Sequence, residues 1–158
     1  MKREQFIHFL EGSQRELRRY LAGLCSGNVP MAEDIAQETS IKAYLASEKF
    51  NDAGRFKPWI FKIAYNTFIS RIRSGKSTTG IEEIKEYSSD EKADKKFEYE
   101  PLYKALQALP PKERSAVTLY YLENFSTKEI ASIQEISEEG VRQALSRGRK
   151  HLRQIIER

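Results

Sequence analysis

The sequence predicts an all-α protein in which two small helical domains are joined by a flexible linker. Apolar residues recur at helical spacing on both sides of a polar stretch, and that stretch has few large apolar residues with which to build a core. Near the carboxyl end, two short helical patterns are separated by a break of a few residues. We therefore expect a first domain over residues 1–75, a linker over 76–100 and a second, four-helix domain over 101–158.

The composition is typical of a soluble helical protein and offers no metal or cofactor site. The 158 residues are 32% charged and 39% hydrophobic, with a formal net charge of +4. Cys25 is the single cysteine, which suits a reducing cytoplasm, and His8 and His151 are too few to complete a zinc site with it. No apolar run reaches membrane-spanning length, and the first residues are too broken by charge for a signal peptide. We expect a cytoplasmic protein with no cofactor and no membrane insertion.

The first domain should begin with a helical region that ends before Gly27, as one helix or as two that meet near Gly12. Its apolar stripe consists of Phe6, Phe9, Leu10, Leu17, Tyr20, Leu21 and Leu24. A further helix should follow Pro30, with these side chains turned inward: Ile35, Ala36, Ala43, Tyr44 and Leu45. On its outer face Asp34 and Glu38 lie one turn apart. Paired carboxylates can perform acid-base catalysis, but no histidine or metal ligand accompanies these two, so a partner-facing surface is favoured.

Turn residues 51–54 lead into a helix that should begin at Pro58 and Trp59. This helix carries more aromatic surface than burial requires, because Phe61 and Tyr65 fall outside its core stripe. Six basic residues accompany it without an acid: Arg55, Lys57, Lys62, Arg71, Arg73 and Lys76. Aromatic and basic residues together can bind a nucleic-acid single strand, and they can equally form a core helix with snorkelling cations. For Phe61 and Tyr65 both interpretations stay open, whereas Trp59 is expected in the core.

The second domain should end in a helix-turn-helix. Ser126 and Glu129 form a capping-box pattern, and Ser137 is placed to cap the last helix after a break at 135–137. That helix should bury Val141, Leu145, Gly148, Leu152 and Ile155, and it has no acid between residues 141 and 154. Earlier in the domain, five side chains are expected to pack beneath the motif: Val117, Tyr120, Tyr121, Leu122 and Phe125. A cationic helix face without acidic neighbours indicates a phosphate-bearing partner.

Together these stretches resemble the extracytoplasmic-function (ECF) sigma factors, the small two-domain promoter-recognition subunits of bacterial RNA polymerase. Three motifs in the family's order carry the resemblance: AEDIAQETSIKAY at 32–44, FKPWIFKIAYNTFISRIR at 56–73, and LPPKERSAVTLYYLENFSTKEIASIQEISEEGVRQALSRGRKHL at 109–152. The resemblance covers nearly the whole chain. It implies binding to core RNA polymerase, recognition of two promoter elements and no enzymatic activity, and it makes an anti-sigma factor an expected further partner.

The resemblance assigns a task to each surface. Asp34, Gln37 and Glu38 would grip the coiled-coil clamp of the largest polymerase subunit. The minus-10 element, held as a melted single strand, would be bound by Asn51, Asp52, Arg55, Phe56, Lys62, Tyr65, Asn66, Arg71 and Arg73. Among these, the loop and Asn66 would capture a flipped base, while the basic residues would hold the backbone. In the duplex minus-35 element, base edges would be read by Arg142, Gln143, Ser146 and Arg147, and phosphates bound by Arg149 and Lys150.

The sequence departs from the family pattern at Ser40, Ser70, Gly140 and Gly148. Gly148 lies inside the recognition helix, where glycine costs about 1 kcal/mol relative to alanine. These departures affect the expected base preference more than the function. Two other classes of protein stay open. One is a stand-alone operator-binding regulator, which would not need the aromatic and basic helix, and the other is a helical enzyme built on Asp34 and Glu38.

Overall fold

The computed structural model describes residues 1–75 and 101–157, and these residues form seven helices and no strand. In chain order the helices are α1 (Arg3–Leu24), α2 (Val29–Ala46), α3 (Phe56–Arg73), α4 (101–107), α5 (Pro111–Val117), α6 (Thr127–Gln134) and α7 (Glu138–Ile156). We call α1–α3 the N lobe and α4–α7 the C lobe. The all-α prediction is confirmed, while the expected linker over 76–100 lies outside the described residues. None of these seven helices combines the length and apolar character needed to cross a membrane.

The helical region at the start of the chain is one continuous helix, α1, with Gly12 exposed in its interior. The chain then reverses through two residues with positive φ, Ser26 at 53° and Gly27 at 85°. Asn28 caps α2, because its side-chain oxygen accepts a hydrogen bond of 3.1 Å from the amide of Met31. This tight reversal lays α2 directly against α1.

The buried stripe of α2 is narrower than the sequence predicted. Ile35, Ala36 and Ala43 are buried as expected, but Tyr44 is 44% and Leu45 is 74% exposed. The prediction was wrong for these two because each residue turns the side chain by about 100° around a helix, which carries positions 44 and 45 away from the stripe through Ala43. The outer face of α2 therefore carries apolar side chains, Leu45 above all, that stay largely exposed to solvent.

Helix α3 begins at Phe56, two residues before the predicted start at Pro58, and follows directly on a 3-10 turn over Ala53–Arg55. Phe61 and Tyr65, whose role the sequence left open, are both buried. The Phe61 ring lies 5.2 Å from that of Tyr20 and 5.0 Å from that of Phe125, measured between centroids. Since Phe125 belongs to the C lobe, the Phe61 ring of α3 packs against the other half of the protein.

The C lobe has the predicted four helices, but α5 continues into a π-helical turn over Thr118–Leu122. Its signature is a hydrogen bond from the amide of Glu123 to the carbonyl five residues earlier, at 3.2 Å. The wider turn rotates the side chains that follow. Val117 and Phe125 are buried as predicted, whereas Tyr120, Tyr121 and Leu122 are exposed, so the expectation that these three pack beneath the helix-turn-helix was wrong.

The two lobes pack against each other, with α1 contacting α5 and α3 contacting α6. The hydroxyls of Tyr20 and Ser115 are 2.7 Å apart in a buried hydrogen bond. Arg19 donates two hydrogen bonds, of 2.9 and 2.8 Å, to Glu123, whose side chain is fully buried. One hydrophobic core runs through both lobes, so burial on folding couples them.

Arg114 forms a junction between the lobes that the sequence did not reveal. Its guanidinium donates to the carbonyl of Leu24 at the end of α1 at 2.6 Å, and to those of Leu106 and Leu109 in the C lobe at 2.9 and 3.0 Å. Burial lowers the pKa of Arg114. Arg114 also donates to the carbonyl of Gln107 at 3.3 Å. Four backbone carbonyls thus accept hydrogen bonds from this one charged side chain.

Candidate nucleic-acid interface

The helix-turn-helix is built by the local signals that predicted it. The Ser126 hydroxyl accepts from the amide of Glu129 at 3.1 Å, and the Ser126 amide donates to the Glu129 carboxylate at 3.0 Å, which completes the capping box. Helix α6 ends at Gln134, and the next residue, Glu135, adopts a left-handed conformation with φ of 55°. The Ser137 hydroxyl then caps α7 by accepting from the amide of Gly140 at 3.0 Å.

The recognition helix α7 presents its predicted contact residues to solvent. Its inner face buries Val141, Ala144, Leu145 and Gly148 against the rest of the lobe. All six residues expected to touch duplex DNA are exposed: Arg142, Gln143, Ser146, Arg147, Arg149 and Lys150. Because the buried stripe fixes the rotation of the helix, these side chains occupy one defined face before any partner binds.

Gly148 allows α5 and α7 to pack closely. A Cβ atom at this position would lie 2.6 Å from a methyl group of Val117, closer than real Cβ contacts come. The sequence analysis counted only the cost of glycine in a helix. The structure adds that the absence of a side chain at Gly148 leaves the space into which α5 packs. One turn further on, Nδ1 of His151 is 2.8 Å from the carboxylate of Glu113, which ties the same two helices together.

The exposed face of α7 has few acidic residues close enough to neutralise its basic side chains. Arg142 lies 3.9 Å from Glu138 one turn earlier, and Arg149 donates to the hydroxyl of Tyr121 at 3.1 Å. Within the described residues, Arg147 has no ion-pair partner, and neither has Lys150. A rigid helix that holds uncompensated cations in solvent is suited to an anionic polymer.

In the N lobe, the loop before α3 combines exposed polar residues with a buried anchor. Asn51, Asp52 and Arg55 are exposed, and Arg55 lies 3.5 Å from Asp52. Phe56, which was expected in the base-capturing set, is only 2% exposed and packs among the rings of Phe6, Phe9, Phe50 and Trp59. In this arrangement the Phe56 ring supports the loop from inside and offers no face to a base, and its expected role in base capture stays a prediction.

The predicted strand-binding residues of α3 fall into two groups. Asn66 and Arg73 are exposed. Tyr65 is 7% exposed, and burial raises its pKa, so in this arrangement its ring is not open to a base. The ammonium group of Lys62 is 3.1 Å from the carboxylate of Glu135, the residue that follows α6 in the C lobe. Lys62 therefore has a protein partner where a phosphate was expected.

Arg71 joins two sets of residues that the sequence treated separately. The Arg71 side chain is 22% exposed, and its guanidinium lies 3.5 Å from Asp34 and 3.2 Å from Glu38. Gln37 beside these carboxylates is exposed. Lys42 adds a second contact to Glu38 at 3.5 Å. The expectation that Arg71 holds DNA backbone does not match this placement, because it is already bound to the carboxylates expected to face the polymerase. These acids come from another helix, so the run of bases in α3 gave no sign of them.

Two family models match the chain in sequence order. The model described as "Sigma-70 region 2" matches residues 9–78, and "Sigma-70, region 4" matches residues 99–152. The first match spans most of the N lobe, and the second spans the helix-turn-helix of the C lobe. Together they define the two-domain class of sigma-70 proteins.

Curated relatives narrow the class further. The ECF RNA polymerase sigma factor SigM of Bacillus subtilis is 32% identical over 133 residues, which cover 81% of each chain. SigW of the same organism is 34% identical over 145 residues, covering 82% of this chain and 78% of its own. The chain belongs to the ECF sigma factors of RNA polymerase.

Solved structures show the same fold. The sigma factor RpoE of Bartonella quintana, crystallised with the anti-sigma factor NepR, is similar over 96% of both chains, with a TM-score of 0.76 and 25% identity. CnrH in complex with the cytosolic domain of CnrY is similar over 96% of this chain and 87% of its own, with a TM-score of 0.74 and 18% identity. The second similarity is one of fold alone.

Proposed function

We propose that this ECF sigma factor divides promoter recognition between its lobes, the C lobe reading the duplex minus-35 element and the N lobe holding the melted minus-10 strand. The observation that carries the proposal is the exposed cationic face of α7, set on a helix-turn-helix and free of acids from residue 141 to 154. The stand-alone regulator would account for this face, but not for the match of the N lobe to sigma-70 region 2.

The side chains of α7 suit readout in the major groove. Arginine pairs with both acceptors of a guanine edge, and glutamine with the donor and acceptor of adenine, which assigns base contacts to Arg147 and Gln143. Arg142 and Ser146 lie on the same exposed face near the start of the helix. Arg149 and Lys150 would bind phosphates and set the register on the duplex.

In the N lobe, the loop and Asn66 would hold an extruded base. Asn51, Asp52 and Asn66 supply amide and carboxylate groups for hydrogen bonds to base edges, and Arg55 and Arg73 supply charge for the strand. Hydrogen bonds to the flipped base replace those lost when the pair opens. Such a site favours melting without covalent chemistry, so the protein would act without catalysing a reaction.

The outer face of α2 would dock onto the polymerase. Asp34 and Glu38 lie on the same helix face as Ile41 and Leu45, since their spacings of four, three and four residues follow the helical repeat. Ile41 is 61% exposed, so this face offers apolar area next to carboxylates. Such a surface suits a partner helix with apolar and basic side chains, and it accounts for the exposure of Leu45.

An anti-sigma factor is the further partner that we propose. RpoE of Bartonella quintana was solved with its anti-sigma factor, and this chain is similar to it over nearly its full length. Co-purification of the tagged chain with its neighbours in the cell would identify such a protein, and transcription by the holoenzyme should fall when that protein is added.

The proposal is tested with holoenzyme reconstituted from core polymerase and the full chain. Selection from a random duplex library should return sequences with two conserved blocks, and the free protein without core should enrich them poorly. Specific binding by the free protein that core polymerase does not improve would instead support the stand-alone regulator.

Asn66→Ala should impair strand opening more than duplex binding, because on this proposal the residue would contact the unpaired strand. Permanganate reactivity of thymines in the melted region, on a selected promoter, measures opening. Gln5→Ala, an exposed amide on α1, is the control and should leave reactivity unchanged. Equal reactivity of wild type and Asn66→Ala would remove Asn66 from the base-capturing site.

A further inference from the structure

We infer that Arg71 serves the docking face of α2, which consists of Asp34, Glu38, Ile41 and Leu45, and that it does not bind the DNA strand. Its task is to hold the two carboxylates in place for core polymerase. Arg71 is then a positioning residue, because it acts through these acids. The inference rests on the proposed function, which assigns the outer face of α2 to polymerase. It adds a residue from another helix and a division of work between the two acids.

The first argument is the geometry of the ion pairs. The guanidinium of Arg71 lies 3.5 Å from Oδ2 of Asp34 and 3.2 Å from Oε2 of Glu38, and these acids are four residues apart on α2. Like charges at this spacing on one helix repel each other. A planar guanidinium carries its N–H donors in a fixed fork, so one arginine can bind both carboxylates and offset that repulsion. Helix α3 thereby restricts two side chains of α2.

The second argument is the depth at which Arg71 lies. Its side chain is 22% exposed, whereas those of Asp34 and Glu38 are 65% and 43% exposed. The cation therefore holds the two carboxylates from the side of the protein interior. A partner that approaches from solvent meets the acids before it meets Arg71. Arg71 is thus placed to support docking, and a phosphate would reach it only past two negative charges.

The third argument is that the two acids are held to different degrees. Both oxygens of Glu38 are engaged, because Oε2 faces Arg71 and Oε1 lies 3.5 Å from the ammonium group of Lys42. Lys42 also donates to the hydroxyl of Thr67 on α3 at 3.2 Å, which ties Glu38 to α3 a second time. Asp34 is contacted at Oδ2, and no described group pairs with its Oδ1. The direct contact with polymerase thus falls to Asp34, while Glu38 anchors the arrangement.

The fourth argument is the charge of the docking face. Arg71 and Lys42 place two positive charges beside the two negative charges of Asp34 and Glu38, so the local net charge is zero. A neutral surface attracts a basic partner only at short range, and such binding varies little with ionic strength. Removing Arg71 leaves one net negative charge. Binding to core polymerase should then depend more steeply on salt.

Arg71→Met tests whether this residue serves the docking face or the strand. Fluorescence anisotropy of the labelled full chain measures its affinity for core polymerase. We expect a loss of about three- to tenfold, because both acids lose their fixed positions, and a larger loss at about 300 mM than at about 50 mM salt. Holoenzyme formed at saturating core should bind a single strand of the selected minus-10 sequence as wild type does. Weaker strand binding with unchanged core affinity would overturn the inference.

Arg71→Lys separates position from charge. It keeps the positive charge, but one ammonium group does not bind two carboxylates as a planar fork does. Its affinity for core polymerase should lie between those of wild type and Arg71→Met, with the salt dependence of wild type. Because the cation is retained, this variant carries the test alone if Arg71→Met does not fold. Full wild-type affinity in Arg71→Lys would show that charge suffices and would overturn the positioning role.

Arg15→Met is the control for the loss of a positive charge. Arg15 is an exposed arginine of α1, and it forms no ion pair with an acid of the described residues. Its replacement should leave the affinity for core polymerase and its salt dependence unchanged. A loss equal to that in Arg71→Met would attribute the effect to the net charge of the chain and overturn the inference.

The division of work between the acids is tested by their single substitutions. Asp34→Asn should lower the affinity for core polymerase more than Glu38→Gln does, because the first removes the direct contact and the second removes an anchor. The same anisotropy measurement compares them. The reverse order would overturn this part of the inference.

A double-mutant cycle decides whether Arg71 acts through the acids. Asp34→Asn and Glu38→Gln together should lower the affinity for core polymerase about tenfold or more, and adding Arg71→Met should then change it by less than about twofold. An undiminished effect of Arg71→Met in that background refutes the inference alone. Unchanged core affinity after loss of both acids refutes the proposed docking of α2 itself.

Discussion

The two lobes differ in how they present their expected DNA contacts, since all six on α7 are exposed but only five of the nine in the N lobe are. On α7, the six predicted contact residues, Arg147 among them, are all exposed on one face of the helix. In the N lobe, Phe56 and Tyr65 are buried, while Lys62 and Arg71 are bound to carboxylates. Duplex has a regular groove that a fixed helix can match, whereas an extruded base needs a site that forms around it. The predicted C-lobe contacts are already presented on one face, whereas four of the predicted N-lobe contacts are buried or paired within the protein.

Arg114 offers the largest expected effect, because its guanidinium binds carbonyl groups of both lobes. Arg114→Met should lower the free energy of unfolding by about 3 kcal/mol, since the partly buried carbonyls of Leu24, Leu106 and Leu109 lose their charged donor. Urea denaturation measures this. Arg18→Met removes an exposed arginine paired with Glu33 and should cost under about 1 kcal/mol. Equal losses in the two variants would show that the contact contributes no more than a surface pair.

Arg147→Ala tests whether the C-lobe surface is preformed. It should weaken discrimination at one minus-35 base pair by about 1–3 kcal/mol, because a bidentate contact to one base edge is lost. Affinities for the selected duplex and for its single-base variants measure this. Arg153→Ala, in the last turn of α7, should weaken all duplexes alike. Unaltered discrimination in Arg147→Ala would assign that residue to phosphate.

Gly148→Ala tests how rigidly α7 is held. Its methyl group would press on Val117, and overpacking should exceed the gain in helix propensity, giving a net loss of about 1–2 kcal/mol in the free energy of unfolding. Gly12→Ala is the matched control, because nothing lies within 4 Å of a Cβ there. Thermal unfolding should show the control gaining up to about 1 kcal/mol. A stabilised Gly148→Ala would mean that α5 and α7 move apart readily.

Cys25 gives the smallest expected effect and lies beside the contact between the lobes, next to the Leu24 carbonyl that Arg114 binds. Burial raises the pKa of its thiol from 9.0 to about 12, against a smaller lowering by Arg114. Stability from this group is fully present below about pH 9 and is lost as pH rises toward 12. Between pH 8.5 and 9.5 the free energy of unfolding should fall by about 0.7 kcal/mol more than in Cys25→Ala. Parallel pH profiles would place the thiol in contact with water.

The sequence predicted best what neighbouring residues determine. The caps at Ser126 and Ser137, and the exposed face of α7, follow from residues within one or two turns. The helical repeat of apolar residues does not by itself predict which face of a helix will be covered by other helices. Leu45 was expected to be inside and lies exposed, and Tyr121 was turned outward by a π-helical turn that no local signal marked.

Ion-pair partners that are distant in the sequence could not be predicted either, because helical repeats do not show which helices pack together. Glu135 meets Lys62 from 73 positions away, and Arg71 meets acids of another helix. Only the packing of the helices brings these charges together. From the sequence alone, a run of basic residues in one helix is therefore predicted to be unpaired. The residue types of the N-lobe site were foreseen, but their engagement with protein partners was not.

The chain also contains a natural optical reporter. Trp59 is its single tryptophan, and its indole stacks on Phe50 with ring centroids 4.2 Å apart, directly beside the loop expected to hold a base. Indole emission is sensitive to a stacked nucleobase and to water. Fluorescence of the unlabelled protein should therefore follow promoter melting in real time.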